Sequence, residues 1–146
     1  MTPQQKALVQ QTFAAIAPIA EAAAALFYGR LFELDPSLRA LFRGDMAAQG
    51  RHLMGTLAVA VRGLDDLATL VPAVRALGHR HVAYGVRDEH YATVGQALLW
   101  TLERGLGGAF TSEVREAWGA AYELLAATMK DPGILADHGA GGQAAA

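Results

Sequence analysis

Capping and breaking residues divide the chain into helix-length segments, and this division constrains the fold more than any other feature of the sequence. Thr2-Pro3-Gln4-Gln5 is typical of a helix start, with a capping threonine, proline at the first helical position and glutamine three residues after the cap. Asp45, Asp88 and Thr111 are predicted caps of later helices. Glycine or proline follows most segments, and both residues end helices. The chain is therefore predicted to consist of consecutive helices.

Composition supports this prediction, because strong helix formers outnumber strand formers. There are 31 alanines and 19 leucines against 12 valines and isoleucines together. The sequence predicts an all-α fold of about seven helices, two of them short. The expected segments are approximately 3–17, 18–34, 37–42, 47–62, 64–81, 88–106 and 111–130.

The length of 146 residues matches one compact domain. We expect this domain to occupy residues 1–131. Residues 132–146 are rich in glycine and alanine and have no periodic apolar face, so a flexible tail is expected there. A chain of this length is not expected to contain a second catalytic domain.

The absence of cysteine excludes several classes of site at once. Disulfides, thiolate zinc sites, iron–sulfur clusters, thiol nucleophiles and thioether-linked haem all require cysteine. Any metal in this chain must therefore be held by histidine or carboxylate.

Charge and hydropathy limit the partners. The net charge is −2 and there is no basic block, so we expect no nucleic-acid binding. The longest apolar run, Ala22 to Tyr28, is shorter than the roughly 20 residues that a bilayer requires, and no leader sequence is recognisable. We expect a cytoplasmic protein with no membrane partner.

Helical phase places three polar residues on apolar faces. His81 is in phase with Leu70, Val74 and Leu77, whereas His79 is predicted to face outward.

The other two polar residues lie on different helices. Gln49 precedes Leu53 by one turn on the inward side of its helix. The Tyr28 hydroxyl points inward on the side of its helix that also carries Ala24, Leu31 and Phe32. Singly, each has an ordinary explanation: a hydrogen-bonded core histidine, a local cap and a packed tyrosine. Together they suggest that the three side chains face one polar group inside a helical domain.

A series of motifs extends over Thr2 to Lys130 in a fixed order and spacing. Tyr28 precedes Phe42 by 14 residues, and Gln49 precedes His81 by 32. The motifs are Leu26-Phe27-Tyr28, Leu31-Phe32, Pro36, Leu41-Phe42, Gln49, Leu53-Met54, Leu70-Val71-Pro72-Ala73-Val74, His81, Tyr84-Gly85-Val86, His90-Tyr91, Val94-Gly95, Ala117-Trp118 and Ala121-Tyr122. In their order and spacing these motifs resemble those of the single-domain bacterial haemoglobins and of the haem domain of flavohaemoglobins.

The resemblance implies a globin fold around haem b, bound non-covalently with His81 as the proximal ligand to iron. Tyr28 and Gln49 are then the candidate catalytic residues on the distal side, where O2, NO or CO binds. The expected cofactor-binding residues are Phe42, Leu53, Leu57, Arg80, His81, Val86, Tyr91, Val94 and Leu98, and Arg51 is a second candidate partner of a haem propionate.

The same resemblance implies reversible, high-affinity O2 binding at ferrous iron and nitric oxide dioxygenation supported by a separate reductase. Two alternatives stay open. His52, next to Leu53, is a candidate sixth ligand, which would give a hexacoordinate His52/His81 globin for redox signalling or electron transfer. A haem-free interaction module is the third possibility, and the inward His81 argues against it.

Tyr91 matches the tyrosine that contacts the proximal histidine in flavohaemoglobins. Their partner carboxylate aligns with Gly133 in this sequence. We therefore do not expect a peroxidase-like proximal hydrogen bond.

Overall fold

The computed structural model describes residues 1–130 and contains six α-helices in that range. They are α1 (Pro3–Ile16), α2 (Ala20–Leu34), α3 (Met46–Gly63), α4 (Leu67–Ala83), α5 (Asp88–Leu106) and α6 (Ser112–Met129). Short 3-10 turns cover Ala17–Ile19, Pro36–Leu41 and Gly107–Ala109. No strand occurs within residues 1–130, which confirms the all-α prediction. The expected tail at 132–146 lies outside the described residues.

Local capping bonds begin three of these helices as predicted. Thr2 and Gln5 form both hydrogen bonds of a capping box at α1. The Asp45 carboxylate accepts a 2.9 Å bond from the first turn of α3, and the Thr111 hydroxyl accepts a 3.2 Å bond from that of α6. These bonds satisfy backbone donors that have no partner inside the helix.

The start of α5 differs from the prediction that Asp88 is its cap. Arg87 occupies the cap position, and its backbone N–H donates to the Nδ1 atom of His90 at 3.0 Å. Asp88 is the first helical residue, where its negative charge is favourable near the positive end of the helix dipole. His90 thus completes the cap from within the first turn.

The core forms where α2 packs across α5 and α3 while α1 and α4 pack on α6. A partly buried hydrogen bond joins α6 to α1, since the Trp118 Nε1 atom donates to the Thr12 hydroxyl at 2.8 Å. The least exposed core side chains, each 0–1% exposed, are Val9, Leu31, Ala97 and Ala117.

Helix α4 is packed on two sides, and this corrects the prediction that His79 faces outward. His79 is only 8% exposed. The preceding residue is Gly78, where a Cβ atom would lie 2.6 Å from the Cα atom of Met129 on α6. The apolar stripe in the α4 sequence predicts one packed face. The second face is packed because α6, which is distant in the sequence, approaches it, and the α4 sequence alone does not show this.

By length and composition alone, the stretch Pro3–Leu34 is apolar enough to cross a membrane. The shorter apolar run considered in the sequence did not reveal this property. In the structure the stretch is two helices separated by a 3-10 turn, and both contribute side chains to the core. Core helices pass the same composition test, so this stretch is weak evidence for a membrane span.

Candidate functional site

A tyrosine and a glutamine from different helices meet inside the fold. The Gln49 Nε2 atom, in the first turn of α3, donates to the hydroxyl oxygen of Tyr28 on α2 at 3.4 Å. Tyr28 is 7% exposed. Burial raises the pKa of Tyr28 above its ordinary value of 10.0, and the bond from Gln49 opposes this increase only in part. The hydroxyl is therefore a neutral group near pH 7.

Aromatic side chains hold Tyr28 in place. Its ring packs edge-on against Phe27 and Phe42, with ring centroids 5.0 Å and 5.3 Å apart. It stacks with Phe32 at a centroid distance of 6.1 Å. Phe42 follows the 3-10 turn that Pro36 begins after α2. The turn thus returns the chain over the face of α2 that carries the tyrosine.

The same turn connects this cluster to the end of α4. Leu41 lies against Gly85, where a Cβ atom would be 3.5 Å from the Leu41 Cδ2 atom. Gly85 has a φ of +94°, a conformation that glycine adopts readily. Val86 then donates its backbone N–H to the carbonyl oxygen of His81 at 3.0 Å. Tyr28, Gln49, Phe42 and the segment that carries His81 are thereby linked through adjoining contacts.

The His81 imidazole has the properties of a metal ligand. It is largely buried, and its Nδ1 atom is out of solvent with no hydrogen-bond partner among the described residues. Burial, assisted by the charge of Arg80, lowers the pKa of His81 below the ordinary 6.5. The ring is accordingly neutral near pH 7, and the neutral form is the one that binds metals.

Tyr91 lies beside His81 in the first part of α5. The two ring centroids are 6.5 Å apart. Burial, followed by the nearby charge of Asp88, raises the pKa of Tyr91 to about 12. The Lys130 ammonium lies 5.7 Å from the centre of the Tyr91 ring, and the Tyr122 hydroxyl donates to the Tyr91 carbonyl at 2.6 Å.

The other apolar residues predicted to contact a cofactor lie on α3, on α5 and in the turns that precede these helices. Leu98 is buried at 9% exposure, and the remaining members are partly buried. Those partly buried residues are Phe42, Leu53, Leu57, Val86 and Val94.

The predicted polar neighbours are placed differently from one another. His52 and Arg51 are exposed on α3. Arg80 is partly buried, and its Nε atom has no hydrogen-bond partner among residues 1–130, so it is the better placed candidate for an acidic group of a cofactor. Gly133 lies outside the described residues.

These residues fit a metal ion that is bound inside a cofactor, because the cofactor then supplies most of the ligands. Within residues 1–130, no three histidine or carboxylate side chains cluster in a way that would hold a bare ion. A single neutral imidazole with apolar surroundings would instead suit as the protein ligand of an iron porphyrin. The buried Tyr28 and the partly buried Gln49 are donors that suit a small polar ligand of that iron.

A separate groove of about 480 Å³ lies between α5 and α6 and contains none of Tyr28, Gln49 and His81. Its walls include Arg30, Trp100, Arg115, Tyr122 and Glu123. Arg30 and Arg104 both lie within 5.3 Å of the Trp100 ring centre. This groove is distinct from the candidate site, although Tyr122 contributes to the surroundings of both.

Six packed helices, the largely buried His81 and the Tyr28–Gln49 pair define an all-helical protein suited to binding haem. The globin family model matches residues 25–129 of the chain. The chain belongs to the globin family, and the relatives of this family that it matches imply haem binding.

The relatives agree with this identification. The flavohemoprotein of Bordetella parapertussis is 38% identical over 129 residues, which cover 86% of this chain and 32% of that protein. The flavohemoprotein of Xylella fastidiosa (strain 9a5c) is 35% identical over 133 residues, covering 89% of this chain and 33% of that protein. The chain thus spans about a third of the length of these relatives.

A solved structure is also similar over nearly the whole chain. It is an engineered carbene transferase derived from an inferred nitric oxide dioxygenase of Rhodothermus marinus. It has a TM-score of 0.82 and 28% identity, covering 95% of this chain and 99% of that one.

Sequence reasoning gives no role to Tyr122 on α6 or to Lys130 directly after it, although both contact Tyr91. Tyr122 belongs only to the motifs that carry the family resemblance. Gly95 carried the available signal, because a glycine inside a helix often marks a close approach by another element. A Cβ atom at Gly95 would lie 2.9 Å from the Tyr122 ring.

Proposed function

We propose that this globin binds haem b non-covalently through His81 and binds O2 with high affinity, with Tyr28 and Gln49 as its distal donors. When bound, the haem supplies a ferrous iron that binds O2, NO or CO and provides the one electron needed to convert NO and O2 into nitrate. Nitric oxide dioxygenation is the activity we propose. A separate reductase returns the electron, and the setting is the cytoplasm.

The observation that carries this proposal is the direction of the Tyr28–Gln49 hydrogen bond. Gln49 donates to the Tyr28 oxygen, so the proton of the Tyr28 hydroxyl has no acceptor among the described residues. A buried, neutral hydroxyl with its proton available is suited to donate to a ligand that acquires negative charge. Because the bond is long at 3.4 Å, the Gln49 amide can also turn toward such a ligand at small cost.

The other residues have supporting roles in this proposal. His81 presents a neutral nitrogen to the metal, and Phe42, Leu53, Leu57, Val86, Val94 and Leu98 exclude water from the cofactor. Arg80 pairs with a carboxylate at the cofactor edge. The hexacoordinate alternative receives no support from the position of His52, which is exposed on α3.

Substitution of His81 tests the proposal directly. We expect His81→Ala to lose most of its haem during gel filtration, measured as the ratio of haem to protein absorbance, because the only protein bond to the iron is removed. His52→Ala is the matched control and keeps the haem ratio of the parent. His79→Ala is unsuitable as a control because His79 is buried. Equal haem retention by His81→Ala and the parent would refute the proposed ligand.

The visible spectrum of the reduced, ligand-free parent tests the coordination. We expect the broad bands of five-coordinate, high-spin iron. Sharp low-spin bands that disappear in His52→Ala would instead establish the His52/His81 alternative.

A further inference from the structure

The groove between α5 and α6 has the size of a small-molecule binding site and plays no part in the proposed gas chemistry. Its volume is about 480 Å³. Small residues keep it open. On α6, a Cβ atom at Gly119 would meet nothing within 4 Å, so open space lies over this residue. On α5, Ala92 and Gly95 line the same space.

Two aromatic side chains form part of the groove walls. Trp100 belongs to α5 and Tyr122 to α6, and both are only partly buried. Leu99 adds apolar surface beside Trp100. Aromatic rings pack well against other flat rings, either offset or edge to face. The walls therefore favour a ligand with a flat, apolar body.

Trp100 also holds two arginines in place. The guanidinium carbon of Arg30, on α2, lies 5.3 Å from the centre of the indole ring, and that of Arg104 lies 4.8 Å from it. A guanidinium that stacks on a ring uses its flat face, and its N–H donors lie in the plane and stay available. The stacking thus orients the donors before a ligand binds.

These donors lack good acceptors in the protein. The Arg30 Nε atom is out of solvent and has no hydrogen-bond partner among residues 1–130. Its ion pair with the exposed Glu33 is long, at 3.4 Å, and such surface pairs contribute little. Neither Arg104 nor Arg115, which lies in the α6 wall, forms an ion pair within the described part of the chain. A ligand with anionic oxygens would supply the missing acceptors.

Carboxylates in the walls limit the charge of that ligand. Glu103 and Glu123 both line the groove, and Glu33 lies on the side of Arg30. A ligand with two negative charges would bring the second one close to these side chains, which is unfavourable. A single carboxylate avoids this repulsion, and its two oxygens match the paired donors of a guanidinium.

We propose that the groove between α5 and α6 binds a small aromatic carboxylate. The aromatic body packs against Trp100 and over Gly119, and the carboxylate accepts hydrogen bonds from Arg30, with Arg104 and Arg115 adding positive charge. This site is independent of His81, so the proposal stands apart from the proposed gas chemistry.

Heteronuclear NMR of the indole N–H groups tests the site, with naphthoate added to the isotope-labelled full-length protein kept reduced under CO. The chain has two tryptophans, and Trp100→Phe assigns their signals. Trp100 is the reporter. Trp118, 2% exposed and bonded to Thr12, is the internal reference. We expect naphthoate to move the Trp100 signal to a saturating shift and to leave the Trp118 signal in place.

The carboxylate is tested with naphthamide, which has the same rings without the charge. We expect it to bind roughly tenfold or more weakly, because charge-assisted hydrogen bonds are lost. Arg30→Gln should weaken naphthoate binding by about the same factor. Arg62→Gln, at an exposed arginine on α3, is the matched control and should bind naphthoate like the parent.

The groove itself is tested by filling it. Gly119→Leu places a side chain in the open space and should abolish the naphthoate shift of Trp100. Gly55→Leu is the matched control, because Gly55 is also a helical glycine with nothing within 4 Å of a Cβ atom, but on α3. An unmoved Trp100 signal in the parent, or equal binding of naphthamide and naphthoate, would overturn the proposal. Parent-like binding in Gly119→Leu or Arg30→Gln would overturn it as well. None of these outcomes depends on O2 or NO, so a failure of the proposed function is distinguished by the haem and O2 measurements alone.

Discussion

A tyrosine hydroxyl donates one hydrogen bond, and the group that receives its proton decides what Tyr28 does. Gln49 uses the hydroxyl oxygen as an acceptor and leaves the proton available. The surrounding rings of Phe27, Phe32 and Phe42 offer no strong acceptor for that proton. A polar ligand brought next to Tyr28 would therefore be the acceptor of this proton.

Replacing Tyr28 with phenylalanine removes this donor and little else. We expect Tyr28→Phe to release O2 about ten- to hundredfold faster in stopped-flow measurements, because a hydrogen bond to a charged partner contributes about 1.5–3 kcal/mol. The ratio of rates should be the same at pH 7 and pH 9, since the pKa of Tyr28 is raised above 10.0. Tyr84→Phe, at a tyrosine that is 38% exposed, is the control. An unchanged rate in Tyr28→Phe would remove Tyr28 from the distal role.

Residues with inward helical phase were predictable, and residues defined by contacts between distant helices were not. Tyr28 is buried as its phase predicts, and Gln49 reaches it across 21 positions in the chain. His79 was assigned to the wrong side because α6 covers the second face of α4. The contact of Tyr122 with α5 depends on Gly95, 27 positions earlier, and no local pattern joins the two.

At the scale of the helices, capping signals were reliable where the bond is local. The caps at Thr2, Asp45 and Thr111 each use a side-chain oxygen within three residues of its donor. The start of α5 was predicted one residue late. There the acceptor is a histidine nitrogen in the first turn, which is a less common arrangement than a capping carboxylate.

Asp45 links helix stability to the candidate site, because the α3 turn that it caps carries Gln49. We expect Asp45→Ala to lower the free energy of unfolding by about 0.5–2 kcal/mol in urea titrations, as for other caps. Asp45→Asn, which keeps an oxygen acceptor, should recover most of that loss. Equal stability of Asp45→Ala and the parent would show that the cap contributes nothing.

At the scale of the whole molecule, the core is apolar and contains few polar side chains. Three of these polar side chains are the tyrosines Tyr28, Tyr91 and Tyr122. Composition and helix phase predicted the enclosing architecture because helix propensity and apolar periodicity are summed over many residues. Helix phase predicted that the Tyr28 hydroxyl points inward, but it did not predict that Tyr91 and Tyr122 would be enclosed with it. Each of the three has a folded pKa above the ordinary 10.0, at about 12 for Tyr91.

The raised pKa values of these tyrosines predict alkaline destabilisation. Below pH 10 both the folded and the unfolded chain keep the phenols protonated, so the tyrosines add no pH dependence. Above pH 10 the unfolded chain loses these protons while the folded chain retains them, and the free energy of unfolding falls. The slope is up to about 1.4 kcal/mol per pH unit for each tyrosine until its folded pKa is reached.

Urea titrations of the apoprotein between pH 9 and pH 11.5 measure this slope. We expect Tyr28→Phe to reduce the slope just above pH 10, because one of the three phenols no longer releases a proton on unfolding. Thr12→Val is the control, since it weakens the fold without removing a phenol and should leave the slope unchanged. If Tyr28→Phe and the parent had equal slopes, the Tyr28 hydroxyl would ionise as readily in the folded chain as in the unfolded one. It could not then be the enclosed, permanently protonated donor on which the distal site depends.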